Sequence, residues 1–415
     1  MIKLNAITIS IGDELLSGKT IDSNNAYISQ QFELLGIPVI KKLIVGDDRQ
    51  DIIDALDWGF SQADILTLTG GLGPTHDDIT KSVLCDYFGV GLVRYPKLLE
   101  NLKERFMKRG FKFSISNESQ AEYPENASLL ENPVGTAQGM HFVHHGKHLF
   151  VMAGVPHEMK AVTDIGIVPI LTKLTSASVS IIDIHSIGIP ESTLFEFSKP
   201  IFDAYPQVKV AYLPKQGMVT IRLSMNSSEL AENEALLLRI YEQIRQRKPK
   251  NIYGRDQEDL SRVIGNLLLK QKATVATAES CTGGLVASMI TDTAGSSEYF
   301  NTGFVTYANA TKRALLDVKS ETLDKYGAVS EETVSEMLVG TLKRSGSHYA
   351  VAISGIAGPG GGSDDKPVGT VYIGVADSAR QIIQRFQFGN NRVMNKRMSA
   401  FAALNQLRLF LEGLV

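Results

Sequence analysis

Cysteine is nearly absent from this chain: there are two in 415 residues, Cys85 and Cys281, far apart and without metal-ligand spacing. That excludes a disulfide framework and suits a reducing cytosol. No apolar run is long enough to span a bilayer. Met1-Ile2-Lys3-Leu4-Asn5 leads directly into a strand pattern, with no signal-type apolar block. A cytoplasmic protein without a membrane partner is expected. An excess of one charge is also lacking. The 42 basic and 45 acidic residues leave a net charge of −3, which gives no reason to expect nucleic acid as a partner. What is present is an ordinary globular composition, 43% apolar and 21% charged. The length calls for two or three domains.

The first region alternates strands and helices. Residues 6–11 read as a strand ending at Gly12, with Asp13 and Glu14 just past it. Asp22 and Ser23 can cap a helix through Ala26, Ile28 and Phe32. A second strand over 39–45, a helix around Ile52, Leu56 and Trp58, and a third strand over 64–69 follow. The third strand runs into Gly70-Gly71-Leu72-Gly73-Pro74-Thr75-His76-Asp77-Asp78-Ile79-Thr80. This order predicts a mostly parallel sheet with helices on both faces. Ligands of such sheets bind beyond the carboxyl ends of the strands. Asp13, Asp47, Thr69, Gly70, Gly71, Asp77 and Asp78 all stand at such ends and are expected to converge. Asp77 or Asp78 can instead cap a helix beginning at Ile79. Farther on, His141, His144, His145 and His148 invite a metal reading. However, His144-His145-Gly146-Lys147 reads as an exposed hairpin turn, where side chains diverge, and the solvated tip is favoured.

From 178 to 250 the pattern changes to strands over 178–187 and 218–225 and helices over 192–202 and 232–246. Gly188-Ile189-Pro190-Glu191-Ser192 and Ala211-Tyr212-Leu213-Pro214 carry no recognisable chemistry. A small α+β connector acting as a spacer is expected, closed by Pro249, Lys250, Asn251 and Gly254. The last region is α/β again. Its centre is Ala278-Glu279-Ser280-Cys281-Thr282-Gly283-Gly284, between a short apolar strand and a helix starting at Leu285. The first N–H groups of a helix lack internal partners and carry the positive end of its dipole, and Gly283 and Gly284 admit a close ligand. Ser280 is therefore open to three roles: nucleophile, phosphate ligand or helix cap. Neither G-x-S-x-G nor S-x-x-K surrounds it, and His348, the one histidine of this region, lies beside no hydroxyl motif. A base for Ser280 must then come from Tyr307 with Lys312, on a helix that Asn309 can cap. A partly desolvated lysine has a lowered pKa and accepts a proton. On spacing alone, cap or phosphate ligand is favoured over nucleophile. The glycine loop over 355–362 departs from G-x-G-x-x-G and leads into a strand, which speaks against dinucleotide binding of the Rossmann kind. A phosphate-wrapping loop and a flexible connection both stay open.

Three stretches of the last region resemble the C-terminal domain of the CinA (competence/damage-inducible protein) family. They are Ala278 to Gly284, Val305-Thr306-Tyr307 leading to Lys312, and Gly355-Ile356-Ala357-Gly358-Pro359-Gly360-Gly361. The resemblance implies a nicotinamide-nucleotide amidase that needs no cofactor, with Ser280 as nucleophile helped by Tyr307 and Lys312. On that reading, backbone N–H groups near Thr282, Gly283 and Gly284 hold the oxyanion. The loop with Gly355, Gly358 and Gly360, together with Arg392 or Arg397, holds the substrate phosphate, and Ser297 and Ser354 add contacts.

The first region resembles the family's other half through Gly12-Asp13-Glu14-Leu15-Leu16, the stretch from Thr69 to Asp78, and Gly154-Val155-Pro156-His157-Glu158-Met159. This half is related to molybdopterin-binding domains, and the resemblance implies a three-layer α/β fold with metal-dependent ADP-ribose pyrophosphatase activity. Asp13, Asp77 and Asp78 would hold a divalent ion (Mg, Mn or Co), and Thr69, Gly70 and Gly71 would cradle phosphate. The expected domains are 1–172, a connector over 173–251 and an amidase domain over 252–415. The expected ligands are nicotinamide mononucleotide and ADP-ribose, in a homodimer. The alternatives are a non-catalytic pterin- or nucleotide-binding or regulatory first domain, or a partner protein related to competence or DNA damage.

Overall fold

The computed structural model describes residues 4–108, 110–175, 179–226 and 230–415. The chain divides into two compact units, Met1–Ser180 with Asn226–Asn233, and Ile181–Met225 with Glu234–Val415. The first unit begins with β1 (Ala6–Ile11), α1 (Asp13–Leu16), α2 (Ser23–Leu34), β2 (Val39–Val45), α3 (Arg49–Gln62), β3 (Ile65–Thr69) and α4 (Thr80–Phe88). A small pair, β4 (Leu92–Arg94) and β5 (Glu122–Pro124), brackets α5 (Pro96–Lys108). Then come β6 (Ser128–Leu130), the hairpin β7 (Gly139–His144) and β8 (Lys147–Met152), α6 (Pro156–Val162) and α7 (Val168–Leu174).

The sheet order is β2-β1-β3-β8-β7-β6, parallel from β2 through β8. Alternation along β1 explains the layers, because successive side chains leave opposite faces. Ile7, Ile9 and Ile11 pack with Ile52 and Leu56 of α3 and Val83 of α4. Ala6 and Phe150 pack on the other side with Ile28 and Phe32 of α2 and Leu171 of α7. This is the expected three-layer α/β arrangement.

Two local readings resolve here. Asp22 caps α2, accepting from the Asn25 amide at 2.9 Å. Neither Asp77 nor Asp78 caps α4, whose first turn receives no side-chain cap. The histidine hairpin turns at His145 and Gly146, both at positive φ. His141 Nε2 lies 2.9 Å from His148 Nδ1 across the strands, whereas His144 packs on Phe60 and Phe88. The four rings do not gather. Among the described residues, no group of three or more metal-ligating side chains does.

Apart from the end residues that fall in the first unit (179–180, 226 and 230–233), the second unit carries β9 (Val179–Ile187), α8 (Glu191–Phe202), β10 (Lys209–Lys215), β11 (Met218–Asn226), α9 (Leu230–Arg247) and β12 (Ile252–Arg255). Ser178, where the first of these strands is expected to open, lies outside the described residues. The order β10-β11-β9-β12 is that of a split β-α-β unit. Next come α10 (Leu260–Gln271), β13 (Val275–Glu279), α11 (Leu285–Thr291), β14 (Phe300–Val305), α12 (Asn309–Leu316), α13 (Ser320–Tyr326), α14 (Glu331–Ser345), β15 (Tyr349–Gly355), β16 (Thr370–Ala376), β17 (Gln381–Gln387) and α15 (Arg392–Leu411).

Their sheet runs β14-β13-β15-β16-β17, with β13 parallel to both of its neighbours. Val351 and Ile353 face Leu404 and Leu407 of α15, while Ala350 and Ala352 face Val334 and Leu338 of α14. The chain leaves β13 to one side for β14 and to the other for β15. A crevice therefore opens at the carboxyl end of β13, as a change of winding direction requires. Among the described residues no helix is long and apolar enough to cross a membrane.

Candidate active site

At the carboxyl end of β13 stands Glu279, 1% exposed. Its carboxylate takes the leading N–H groups of α11: Oε2 accepts from Gly284 and Val286 at 3.0 and 3.1 Å, and Oε1 from Ala287 at 2.8 Å. A buried anion at a helix N-terminus is favoured by the dipole and closes the orphan donors. Glu279 is thus the cap of α11, a role that the sequence left open to Ser280. The chain reaches this geometry because Gly283 and Gly284 both adopt positive φ, which costs glycine little.

Ser280 is left for other work. It is buried, and Lys312 Nζ donates to its Oγ at 3.0 Å. The same ammonium donates to Thr306 O at 2.7 Å, the carbonyl just beyond β14. Lys312 is 1% exposed, and burial pulls its pKa down from 10.5 to about 8, the Cys281 thiol partly opposing the fall. Asn309 does not cap α12; it is the first helical residue and Ala308 precedes it without a side-chain bond. Cys281 is buried, and its thiol is pushed up to about 12 by that burial. A thiol so raised is not a nucleophile at neutral pH.

The expected oxyanion donors are only partly free. Gly283 N–H donates to Ser280 O, and Gly284 N–H to Glu279. Among the described residues, the amides of Cys281 and Thr282 take no protein acceptor. The hydroxyl of Thr282, 0% exposed, has none either.

Arg392, at the start of α15, draws the remaining pieces together. Its Nη1 donates to Gly358 O at 2.7 Å and its Nη2 to Tyr307 Oη at 2.6 Å. Tyr307 thus stands at the mouth of the site, bonded to Arg392 and not to Lys312. The glycine loop is braced a second time by Asn395 Nδ2, which donates to Ala357 O at 3.0 Å. Gly358 needs its lack of a side chain, since a Cβ there would lie 2.6 Å from Val368 Cγ1 at φ +89. Gly355 ends β15, and Gly360 faces open space. Ser354 is buried, with its hydroxyl bonded to Ala328 O at 2.6 Å, so it props a neighbouring loop.

Two expected contacts fall elsewhere. Ser297 precedes β14, and because β14 runs parallel to β13 it lies at the opposite end of the sheet from Ser280. Arg397 turns away to Gln216 Oε1, 3.2 Å distant in the β10–β11 turn. Lys396 stands where Arg397 was expected, its Nζ 3.6 Å from the position a Cβ would take on Gly283. Helical spacing carried the signal: 392 and 396 share a face at i,i+4, and 397 does not.

The first unit has its own cleft, about 410 Å³, beyond β1 and β3. Gly70 and Gly71 line it. Gly70 cannot carry a side chain, because at φ +115 a Cβ would lie 2.5 Å from Ile11 O. Thr69 is turned inward instead, its hydroxyl 3.2 Å from that of Ser10. The cleft is lined by Glu14, Asp47, Asp77, Asp78 and Glu158, and among its described lining residues there is no lysine or arginine. Sequence reasoning missed Glu14 and Glu158, although both lie in the stretches quoted above.

Asp13 and Asp47 are tied together, each amide donating to the other's carboxylate at 3.0 and 3.4 Å. Asp47 is raised above its ordinary value, chiefly by burial and then by the carboxylates of Asp13, Glu14 and Asp77. Asp77 is exposed and lowered, first by its bond with Thr75. Asp78 has both oxygens occupied, Oδ1 by the Gly73 amide at 2.7 Å and Oδ2 by the amide and hydroxyl of Thr75. It is a strut of the glycine loop. Asp13, Asp77 and Asp78 therefore do not form a ready ligand set.

Known proteins match the chain along its whole length. The family model described as CinA C-terminal domain matches residues 257–411, that described as probable molybdopterin binding domain residues 7–173, and that described as damage-inducible protein CinA KH domain residues 183–254. A CinA-like protein of Cytophaga hutchinsonii is 40% identical over 402 residues, 96% of either chain. A putative competence-damage inducible protein of Clostridium botulinum is 37% identical over 407 residues, 98% of this chain and 99% of that one. Among solved structures, the competence/damage inducible protein CihA of Agrobacterium tumefaciens is 42% identical, covering 37% of this chain and 93% of that one, with a TM-score of 0.36. Aligned with such relatives nearly from end to end, the chain belongs to the CinA family.

Proposed function

We propose that the last domain hydrolyses the carboxamide of nicotinamide mononucleotide to nicotinate mononucleotide and ammonia. The observation that carries this reading is the buried 3.0 Å hydrogen bond between Lys312 Nζ and Ser280 Oγ. A lysine with its pKa lowered to about 8 is neutral often enough near neutrality to take the serine proton. Ser280 Oγ bonds to the carboxamide carbon, and its proton passes to Lys312. The C–N bond then breaks, the proton goes to the departing amine, and water releases the acid from the serine ester. The amides of Cys281 and Thr282 hold the oxyanion, a contribution of about 3 kcal/mol per donor in related sites.

The choice of an anionic amide is supported by charge. Lys396, whose Nζ lies 3.6 Å from the position a Cβ would take on Gly283, has no ion pair among the described residues. Arg392 fixes Tyr307 and the glycine loop beside it. Ammonia release from nicotinamide mononucleotide tests the assignment. Ser280→Ala is expected to fall at least about a thousandfold in kcat, and near wild-type turnover would refute it.

For the first domain, the acid-lined cleft supports cleavage of a nucleoside diphosphate sugar such as ADP-ribose. A diphosphate is repelled by these carboxylates unless a cation screens it. The residues fit an ion held by one or two carboxylates, Asp47 and Asp77 foremost, and completed by the ligand's own phosphates, as magnesium prefers. When bound, the ion supplies charge neutralisation and a more acidic water. Gly70 and Gly71 let the diphosphate approach the backbone, and Asp78 holds the loop that carries them. AMP release from ADP-ribose with added magnesium, manganese or cobalt tests this, and its absence with all three would leave a binding module.

A further inference from the structure

We propose that a cavity of about 340 Å³ between the β10–β11 turn, β17 and α15 is a binding site for a planar aromatic carboxylate. One wall is aromatic. Phe386, on β17, and Phe388, just past its end, hold their rings 8° from parallel with centroids 5.8 Å apart. The facing wall is α15, which presents Met398, Phe401, Ala402 and Leu409. An apolar cavity lined by aromatic rings, with few polar groups, is the usual form of a small-molecule site, and about 340 Å³ lies within the usual range.

The polar groups give the ligand its charge. Lys250 is the charged side chain among the lining residues, with no carboxylate among those described. Asn405 adds a second polar group: its Oδ1 accepts from Arg408 Nε and Nη2 at 3.1 and 2.9 Å, which leaves its Nδ2 to donate. An ammonium and an amide N–H beside aromatic rings suit a carboxylate on an aromatic ring.

The walls are fixed in advance. Arg408, 0% exposed, donates to the carbonyls of Pro249 and Lys250 at 3.2 and 2.7 Å. Asn251 Nδ2 donates to those of Ile187 and Gly188. The β10–β11 turn is latched by Arg397 on Gln216 and by Gly217, where a Cβ would lie 2.6 Å from Met398 Cε. Arg397 thus belongs to this cavity's frame. The proposal is independent of the amidase reading.

Titration of the full-length chain with 2-naphthoate, followed by calorimetry, tests it. Saturable binding to one site per chain is expected. Ala402→Phe places a ring in the cavity and is expected to abolish binding, and Lys250→Met at the exposed rim is expected to weaken it roughly tenfold. The uncharged 2-naphthol is expected to bind less tightly than the acid. Absence of saturable binding overturns the proposal, as does a folded Ala402→Phe chain that binds like wild type. Should Ala402→Phe fail to fold, Lys250→Met decides, and unchanged affinity for 2-naphthoate overturns the carboxylate assignment.

Discussion

In the last domain the chain leaves β13 through a buried glutamate that closes the next helix from inside, leaving a serine and a lysine facing each other. In the first domain the chain leaves β1 through Gly12 and sets Asp13 and Glu14 outside, in the first turn of α1, which has no side-chain cap. Both clefts lie beyond the carboxyl ends of parallel strands. Their electrostatics are opposite. The last site has Glu279 turned onto the amides of α11 and carries the basic side chains Lys312, Lys396 and Arg392. The first cleft is lined by five acids, not clustered on one point, and by no lysine or arginine among its described lining residues. A site with its charges already placed can act on an anionic amide unaided, whereas an acid-lined cleft needs a cation to accept a diphosphate. The same strand-end rule thus yields two differently charged clefts, because one acid is turned inward and the others outward.

That contrast can be broken in order of effect. Chelation of divalent ions is expected to abolish AMP release from ADP-ribose and to leave ammonia release unchanged. If both activities fall together, the two sites do not differ as described. Lys396→Met is expected to raise KM for nicotinamide mononucleotide about tenfold, with little change in kcat. The uncharged riboside is expected to be unaffected, and equal losses on both substrates would remove Lys396 from phosphate recognition. Glu279→Gln exchanges one acceptor oxygen for an N–H donor facing the α11 amides. A loss of about 1–3 kcal/mol is expected, measured as a lower urea midpoint of the domain's unfolding, and an unchanged midpoint would show that the cap contributes nothing.

Much of the fold was legible because the alternation of strands and helices is strong in both large domains. What escaped has local causes. β10 is an edge strand, exposed along most of its length and containing Pro214, so it lacks the apolar rhythm of a buried strand. β12 is four residues long. At the site, residue type left Tyr307 with Lys312 as candidate partners of Ser280 and the family resemblance made that serine the nucleophile; of the two, Lys312 bonds to Ser280 and Tyr307 to Arg392. Residue type did not reveal Glu279, because this cap lies five residues before the N-cap Gly284 and reaches α11 only after the turn through two left-handed glycines. Ser297 was misplaced because its distance from Ser280 in sequence says nothing of which end of a parallel strand it occupies. Asp78 has the right charge for a metal ligand, but backbone amides of its own loop hold it first.

The dependence of kcat/KM for nicotinamide mononucleotide on pH tests the central claim most directly. The base must be neutral to act, and burial lowers Lys312 to about 8. Activity is therefore expected to rise with pH through about 8 and level off above it. Lys312→Ala is expected to lose this limb along with most of kcat. A wild-type profile flat through this range, or a Lys312→Ala variant that keeps both the limb and the rate, would contradict the pairing of Lys312 with Ser280.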